Sequence, residues 1–564
     1  MKKAVILPLG VTILIMIAGV LRLEAIDHGN PGYDMKNPTM EICNITLPQA
    51  GTMPYRVYVS SLMGLANRRM PSIYLDQNDV TNNRIKSEME LSGFKFIPTT
   101  LAALNAKFLK PDLVKGCIIV DEGCVRTPLA ASLAGALDGV IVTPSMRLVS
   151  PYRELKVLYD AQNMTEAELS DYIFYNAMKF NLTGIVNYSS RSSNANFAPW
   201  QMIDFAIKYK YPMCGVDVSS KTISSTSTLA QLFNLLEPNS PHFGWAVPID
   251  PREDKDAERQ NVKFGAVNNA IYTVPGESFT SMSLFSTRQI EPLPLNQNRT
   301  QSATPVRKNV HYVTIIFSDG DNMAYYKNKF TGNAHGDYIL SPKAGNVPLN
   351  YMYPPHLRTA LTPLHNFYQR NMPANNYLVC GLSGIGYTLP SHSTAEQQAE
   401  HYRQTNQAMK ECGLDYLVVM DEGTKSFNGE GITVRSRFVD NMQYMPDVKG
   451  IFYMHYQEYS RYHGECFFLD GVPVVSFRYC LWDEGKAATF RNPATLAADL
   501  NAASRDVTSI DAYSAVMAHV NRPSYYDVNR IVDELVPLLK GDVVIVDAAQ
   551  FMELIKKNVD ESSK

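Results

Sequence analysis

The sequence predicts an α/β protein in which three divergent α/β repeats precede a closed or nearly closed seven-stranded β/α barrel. Three observations carry this reading. The second half holds seven short apolar runs, at 313–317, 377–380, 416–420, 450–454, 472–477, 514–518 and 543–546, each trailed by a helix-like or loop stretch. From Asn44 to Arg299, strand-like and helix-like segments alternate in three loosely spaced rounds. Between the halves, Pro292, Pro294, Asn296 and Gln297 mark a polar linker, so the domains are expected at 26–305 and 306–564. An open doubly wound sheet is the competing layout. A chain of 564 residues is too long for one core, which agrees with a two-domain division.

In chain order, Lys2-Lys3 and the apolar stretch Ala4 to Leu21 read as an export signal over 1–25, or as an uncleaved anchor, the one membrane contact expected. The remainder is then exported: periplasmic, cell-surface or secreted. Ser72 to Leu75, Gly116 to Asp121, Val140 to Thr143 and Gly184 to Asn187 read as strands, with 128–139 as a helix former. Next come Gly244-Trp245 and an acidic cluster, Glu253, Asp254, Asp256 and Glu258. In the second half, the Cys466 to Cys480 segment holds two extended runs around Asp470-Gly471, and a disulfide across that hairpin is expected, with buried thiols as the alternative.

Composition narrows the function. A net charge of -3 without a Lys/Arg cluster argues against a nucleic-acid partner. The eight cysteines show no Cys-x-x-Cys spacing, so a zinc site is not expected. No phosphate-binding glycine fingerprint occurs, and no cofactor is expected. Aromatics are weighted to tyrosine, 32 against 3 Trp; a flat apolar face with a hydroxyl suits sugars, although many tyrosines belong to cores.

The chemistry gathers at strand ends. Val313 to Phe317 runs into Ser318-Asp319-Gly320-Asp321-Asn322, two carboxylates and an amide around one glycine. Ionised carboxylates are costly against a core, so they belong at an open strand end, where α/β folds bind ligands. The later strands end in a similar way, with Gly384-Ile385-Gly386-Tyr387, Asp421-Glu422, His455-Tyr456, Trp482, His519 and Asp547. A rim of carboxylates, histidines and aromatics fits a polar-ligand site.

The stretch Gly384-Ile385-Gly386-Tyr387-Thr388-Leu389-Pro390 resembles the signature of the GxGYxYP family, exported proteins proposed to be glycoside hydrolases. Leu389 stands where the family has a second tyrosine, which removes that aromatic and leaves the turn-forming glycines and proline. Gly64 to Leu75, Gly244-Trp245 and the Phe317 to Asn322 stretch extend the resemblance over most of the chain. It implies three N-terminal repeats, a seven-stranded barrel and an interdomain cleft. It also implies a catalytic trio, with Asp319 and Asp321 from the D-G-D motif and an upstream glutamate, taken as Glu258 with Glu253 and Glu277 as alternatives.

Hydrolysing a glycoside needs one acid to protonate the leaving oxygen and one carboxylate to activate water or attack carbon. Asp319 and Asp321, two apart across a glycine, could share a pocket, and Glu258 could supply the proton from the facing side. Trp245, Tyr387, Tyr456 and Trp482 are expected sugar contacts, with Asn322, Gly384, Gly386, Asp421, Glu422 and His455 around them. Two rivals remain: a metal-dependent polysaccharide deacetylase, for which no His-x-x-x-His pair is present, and a non-catalytic carbohydrate-binding protein.

Overall fold

The protein is seen here as a computed structural model that describes residues 40–47, 53–77, 80–188, 200–215, 228–245, 270–274, 280–295, 307–328, 330, 338–456, 458–482, 488–520 and 526–559. The expected signal, the acidic cluster with Glu258, and Glu277 lie outside these residues.

Three small parallel sheets build the first half. Strands β1 (Met40–Thr46), β2 (Ile73–Asp76) and β3 (Phe94–Pro98) pair in the order β2-β1-β3. Strands β4 (Gly116–Ile119), β5 (Gly139–Val142) and β6 (Val157–Asp160) pair as β5-β4-β6. Strands β7 (Ile185–Tyr188), β8 (Met213–Cys214), β9 (Ser240–Trp245) and β10 (Ala270–Val274) pair as β10-β9-β7-β8. Each sheet uses one consecutive length of chain, as three successive α/β units require. Helix α1 (Met53–Arg69) is buried along most of its length, so its weak amphipathicity suits an internal position among these units.

The second half forms one large curled sheet. Its strands are β11 (His311–Phe317), β12 (Asn350–Tyr353), β13 (Tyr377–Cys380), β14 (Tyr416–Asp421), β15 (Gly450–His455), β16 (Cys466–Leu469), β17 (Val472–Ser476), β18 (Tyr479–Leu481), β19 (Phe490–Arg491), β20 (Tyr513–Ala518) and β21 (Val543–Ile545). All seven expected runs are strands. The hydrogen-bonded path is open, β16-β17-β15-β14-β13-β12-β11-β20-β18-β19, so a curled mixed sheet replaces the closed barrel expected from the sequence. The path breaks between β17 and β18, consecutive strands that share no ladder: β17 pairs with β15 and β18 with β20. At their junction Phe477 N–H bonds Tyr453 of β15 and the next amide, Arg478, bonds Ala515 of β20, because successive amides of an extended chain point to opposite edges. β16 is antiparallel to β17.

Every residue of β11 is buried, which fits its unbroken apolar sequence. One edge is paired by β20 over Tyr312 to Phe317. The other is divided, with β21 on His311 to Val313 and β12 on Ile316 and Phe317. Much of the tyrosine surplus is structural. The largest fully buried side chains are all tyrosines, Tyr326, Tyr338, Tyr351, Tyr353 and Tyr368 among them. Their rings pack against each other and against Phe317 and Phe330, as in Tyr326–Tyr368 at 4.7 Å and Phe317–Tyr351 at 5.0 Å.

The Cys466–Cys480 disulfide is not formed, and all eight cysteines are thiols. The hairpin turn falls at Asp470 and Gly471, both left-handed (φ 50° and 76°), as expected. Its register sets Cys466 opposite Val475, and the chain then crosses to β20, carrying Cys480 into the sheet interior.

The halves are tied by specific bonds. Glu88, in helix α2 (Val80–Leu91), meets Arg370 of helix α3 (Thr362–Asn371) at 3.0 Å. The proline-spaced segment is strapped to α3: Leu293 N–H donates to Asn366 Oδ1 at 2.8 Å, and Asn366 Nδ2 donates to Glu291 O at 3.0 Å.

Candidate functional site

The D-G-D loop sits at the carboxyl end of β11 and is shaped by its neighbours. Ser318 N–H bonds Ala518 O of β20 at 3.0 Å. The Ser318 hydroxyl donates to Asp319 Oδ2 and accepts the Val520 N–H. Asp319 takes a left-handed conformation, φ 61°, which side-chain-bearing residues rarely adopt and which clusters at functional sites. A Cβ on Gly320 would fall 1.8 Å from Met352 O, so only glycine lets the loop lie on the end of β12. The same carbonyl accepts the Tyr326 hydroxyl.

Asp319, Asp321 and Asn322 are all half-buried, open enough to meet a ligand. Their surroundings differ. Asp319 lies on the β20–β18 side, where burial, and secondarily its charge, push the Cys480 thiol pKa up. Asp321 lies toward β13, for a Cβ on Gly381 would come 3.3 Å from its backbone nitrogen. The loop therefore spans three strand ends.

The glycine signature forms the turn after β13. Ser383 and Gly384 both have positive φ, 62° and 114°, and a Cβ on Gly384 would meet Thr405 Oγ1 at 2.2 Å. Thr405 Oγ1 accepts the Ile385 N–H, and Ser383 Oγ bonds both the amide and the carbonyl of Met420 in β14. The turn then delivers His392 to Glu422, with Nε2 and Oε1 2.5 Å apart. Gly386 is half-buried, and Tyr387 and Leu389 are buried in the apolar interior.

Asp421 ends β14 with a side chain 1% exposed. Its Oδ1 accepts the N–H groups of Ser391 (2.9 Å) and Glu422 (2.8 Å), and its Oδ2 faces Arg437 at 3.1 Å. Burial raises its pKa and Arg437 opposes that shift. Asp421 thus organises the rim from beneath. His455 and Tyr456 are buried as well, with His455 Nε2 3.1 Å from Arg461 Nη1. Trp482 is half-buried and stacks on His519 at 3.8 Å and 6° from parallel, with Phe490 at 5.1 Å and Tyr459 at 5.8 Å.

Gly244, φ 98°, packs against Asn187 O, where a Cβ would stand at 2.5 Å, and so places Trp245 at the end of β9. Two residues earlier, Phe243 meets His356, just past β12, at 6.0 Å. Among the described residues, no three His, Cys, Asp or Glu side chains converge as a metal-binding group. Sequence reasoning missed His392, Arg437, Arg461, Tyr459 and Phe490. His392 alone carried a signal, lying two residues beyond the signature.

No curated protein matches the chain. A solved structure, that of a "putative hydrolase from Bacteroides thetaiotaomicron VPI-5482", is similar over 93% of this chain and 99% of its own, with 20% sequence identity and a TM-score of 0.75. At that identity the likeness shows a shared fold. Residues 309–556 match the family model described as "GxGYxYP putative glycoside hydrolase C-terminal domain".

Proposed function

We propose that the chain is an exported glycoside hydrolase acting on a poly- or oligosaccharide, with Asp319 and Asp321 as its acid/base carboxylates. The observation that carries this reading is the D-G-D loop: two half-buried carboxylates held at a strand-end rim by a glycine that admits no side chain. The match of residues 309–556 to the family model supports the reaction class. In it, one aspartate takes a proton from the attacking water while the other holds the water or the sugar hydroxyls. Asn322, Gly386 and Trp482, each half-buried, are proposed sugar contacts. The resemblance implies Glu258 as a proton donor and residues 1–25 as the export segment.

The test is a screen of the purified protein against polysaccharides and 4-nitrophenyl glycosides, followed by Asp319→Asn and Asp321→Asn on any substrate found. Each substitution is expected to lower turnover by about 10²-fold with the melting temperature unchanged. Full turnover in both variants would sink the mechanism. Sugar binding without turnover by the parent protein would point instead to a carbohydrate-binding role.

A further inference from the structure

The described rim carries a proton donor of its own. His392 Nε2 and Glu422 Oε1 stand 2.5 Å apart, with side chains 24% and 17% exposed, so the pair is mostly shielded yet open to solvent. Its support is built in. One oxygen of the buried Asp421 accepts the N–H of Glu422 and the N–H of Ser391, the residue before His392. A single carboxylate, itself paired with Arg437, therefore fixes the backbone on both sides of the pair. Such second-layer anchoring is how a proton-transfer group is held in one geometry before substrate arrives.

The pair stands at the strand end next to the one that the D-G-D loop reaches. Asp321 N lies against Gly381 at the end of β13. The next strand end is that of β14, joined to β13 through Ser383 Oγ and Met420, two residues before Glu422. One strand spacing, about 5 Å, separates these backbones.

We propose that the His392–Glu422 pair is the proton donor of this site, with Asp421 as its positioning residue; the proposal rests on the glycoside-hydrolase reading. A lone rim carboxylate is ionised at neutral pH and has no proton to give. The hydrogen bond between the His392 imidazole and the Glu422 carboxylate holds a proton, and that is the proton the pair can pass on. That proton passes to the glycosidic oxygen as its bond to the anomeric carbon breaks. Water adds to the carbon, its proton going to the Asp319/Asp321 carboxylates, and solvent returns a proton from them to the pair.

The test compares a 4-nitrophenyl glycoside, whose leaving group needs no proton, with the methyl glycoside of the same sugar. Glu422→Gln is expected to lose about 10²-fold on the methyl glycoside and under about 10-fold on the activated one. His392→Asn is expected to move the basic limb of the kcat/KM profile down by about one pH unit or more, a readout that a purely structural role would not move. Equal loss on both substrates, or none, in Glu422→Gln overturns the proposal. So does an unmoved basic limb in His392→Asn, which decides the matter if Glu422→Gln does not fold. Cleavage of no glycoside by the parent protein removes the hydrolase reading and, with it, the role of the pair. Parent turnover with fully active variants removes the pair alone.

Discussion

Asp204 offers a stability experiment whose sign and size follow from its surroundings. It lies in helix α4 (Ile203–Tyr209) and is fully buried. Its Oδ2 accepts the Ser283 N–H at 2.6 Å, and its Oδ1 has no hydrogen-bond partner among the described residues. Burial raises its pKa from 3.8 to about 6, against the opposing pull of the Ser283 hydrogen bonds and the Lys208 charge. The unfolded chain therefore releases this proton first as pH rises. Stability from this group is fully present below about pH 4 and is lost as pH climbs to about 6. At about 1.36 kcal/mol per pH unit, the loss is about 3 kcal/mol. Asp204→Asn keeps an oxygen for Ser283 N–H and cannot ionise. Urea unfolding of both proteins at pH 4, 5, 6 and 7 is expected to show the variant gaining about 3 kcal/mol on the parent between the extremes. Groups common to both proteins cancel, and the packing cost of the amide is a constant offset. A difference that is the same at pH 4 and pH 7 would refute the reasoning.

Two further substitutions test the scaffold of the rim. Gly320→Ala sets a methyl 1.8 Å from Met352 O, so the loop or β12 must move; a loss of about 3 kcal/mol is expected, read by chemical denaturation, and an unchanged midpoint would contradict the packing. Arg437→Met leaves Asp421 buried without its cation and is expected to cost about 3 kcal/mol at pH 7, part of it recovered in the double variant with Asp421→Asn, as a double-mutant cycle would show.

Much of the fold is legible in local chemistry. The seven apolar runs of the second half are strands because a buried strand needs little beyond an unbroken β-branched or apolar length. The Asp470-Gly471 turn is equally local, since left-handed backbone selects those residues. The placement of Asp319 and Asp321 at a strand end follows from the cost of burying charge. β12 escaped notice because its sequence, Asn-Tyr-Met-Tyr, carries an amide where an apolar residue was expected. That Asn350 is satisfied from afar, donating to Thr314 Oγ1 and Ile315 O and accepting the Ala548 N–H.

What tertiary structure alone decided concerns partners distant in sequence. His392 meets Glu422 across thirty positions, and no periodicity records that meeting. Asp421, Tyr387, His455 and Tyr456 looked like rim groups, and packing turned them inward. Cys466 and Cys480 flank a real hairpin, yet the strand registers set Cys466 opposite Val475 and Cys480 opposite Met517 of β20, so no disulfide joins them, and the sheet's hydrogen-bonded path is open. The physical reason is one of range. Steric preference and burial pattern act within a few residues and are written in each segment, whereas curvature, crossing points and side-chain pairings arise only when separate segments compete for the same space.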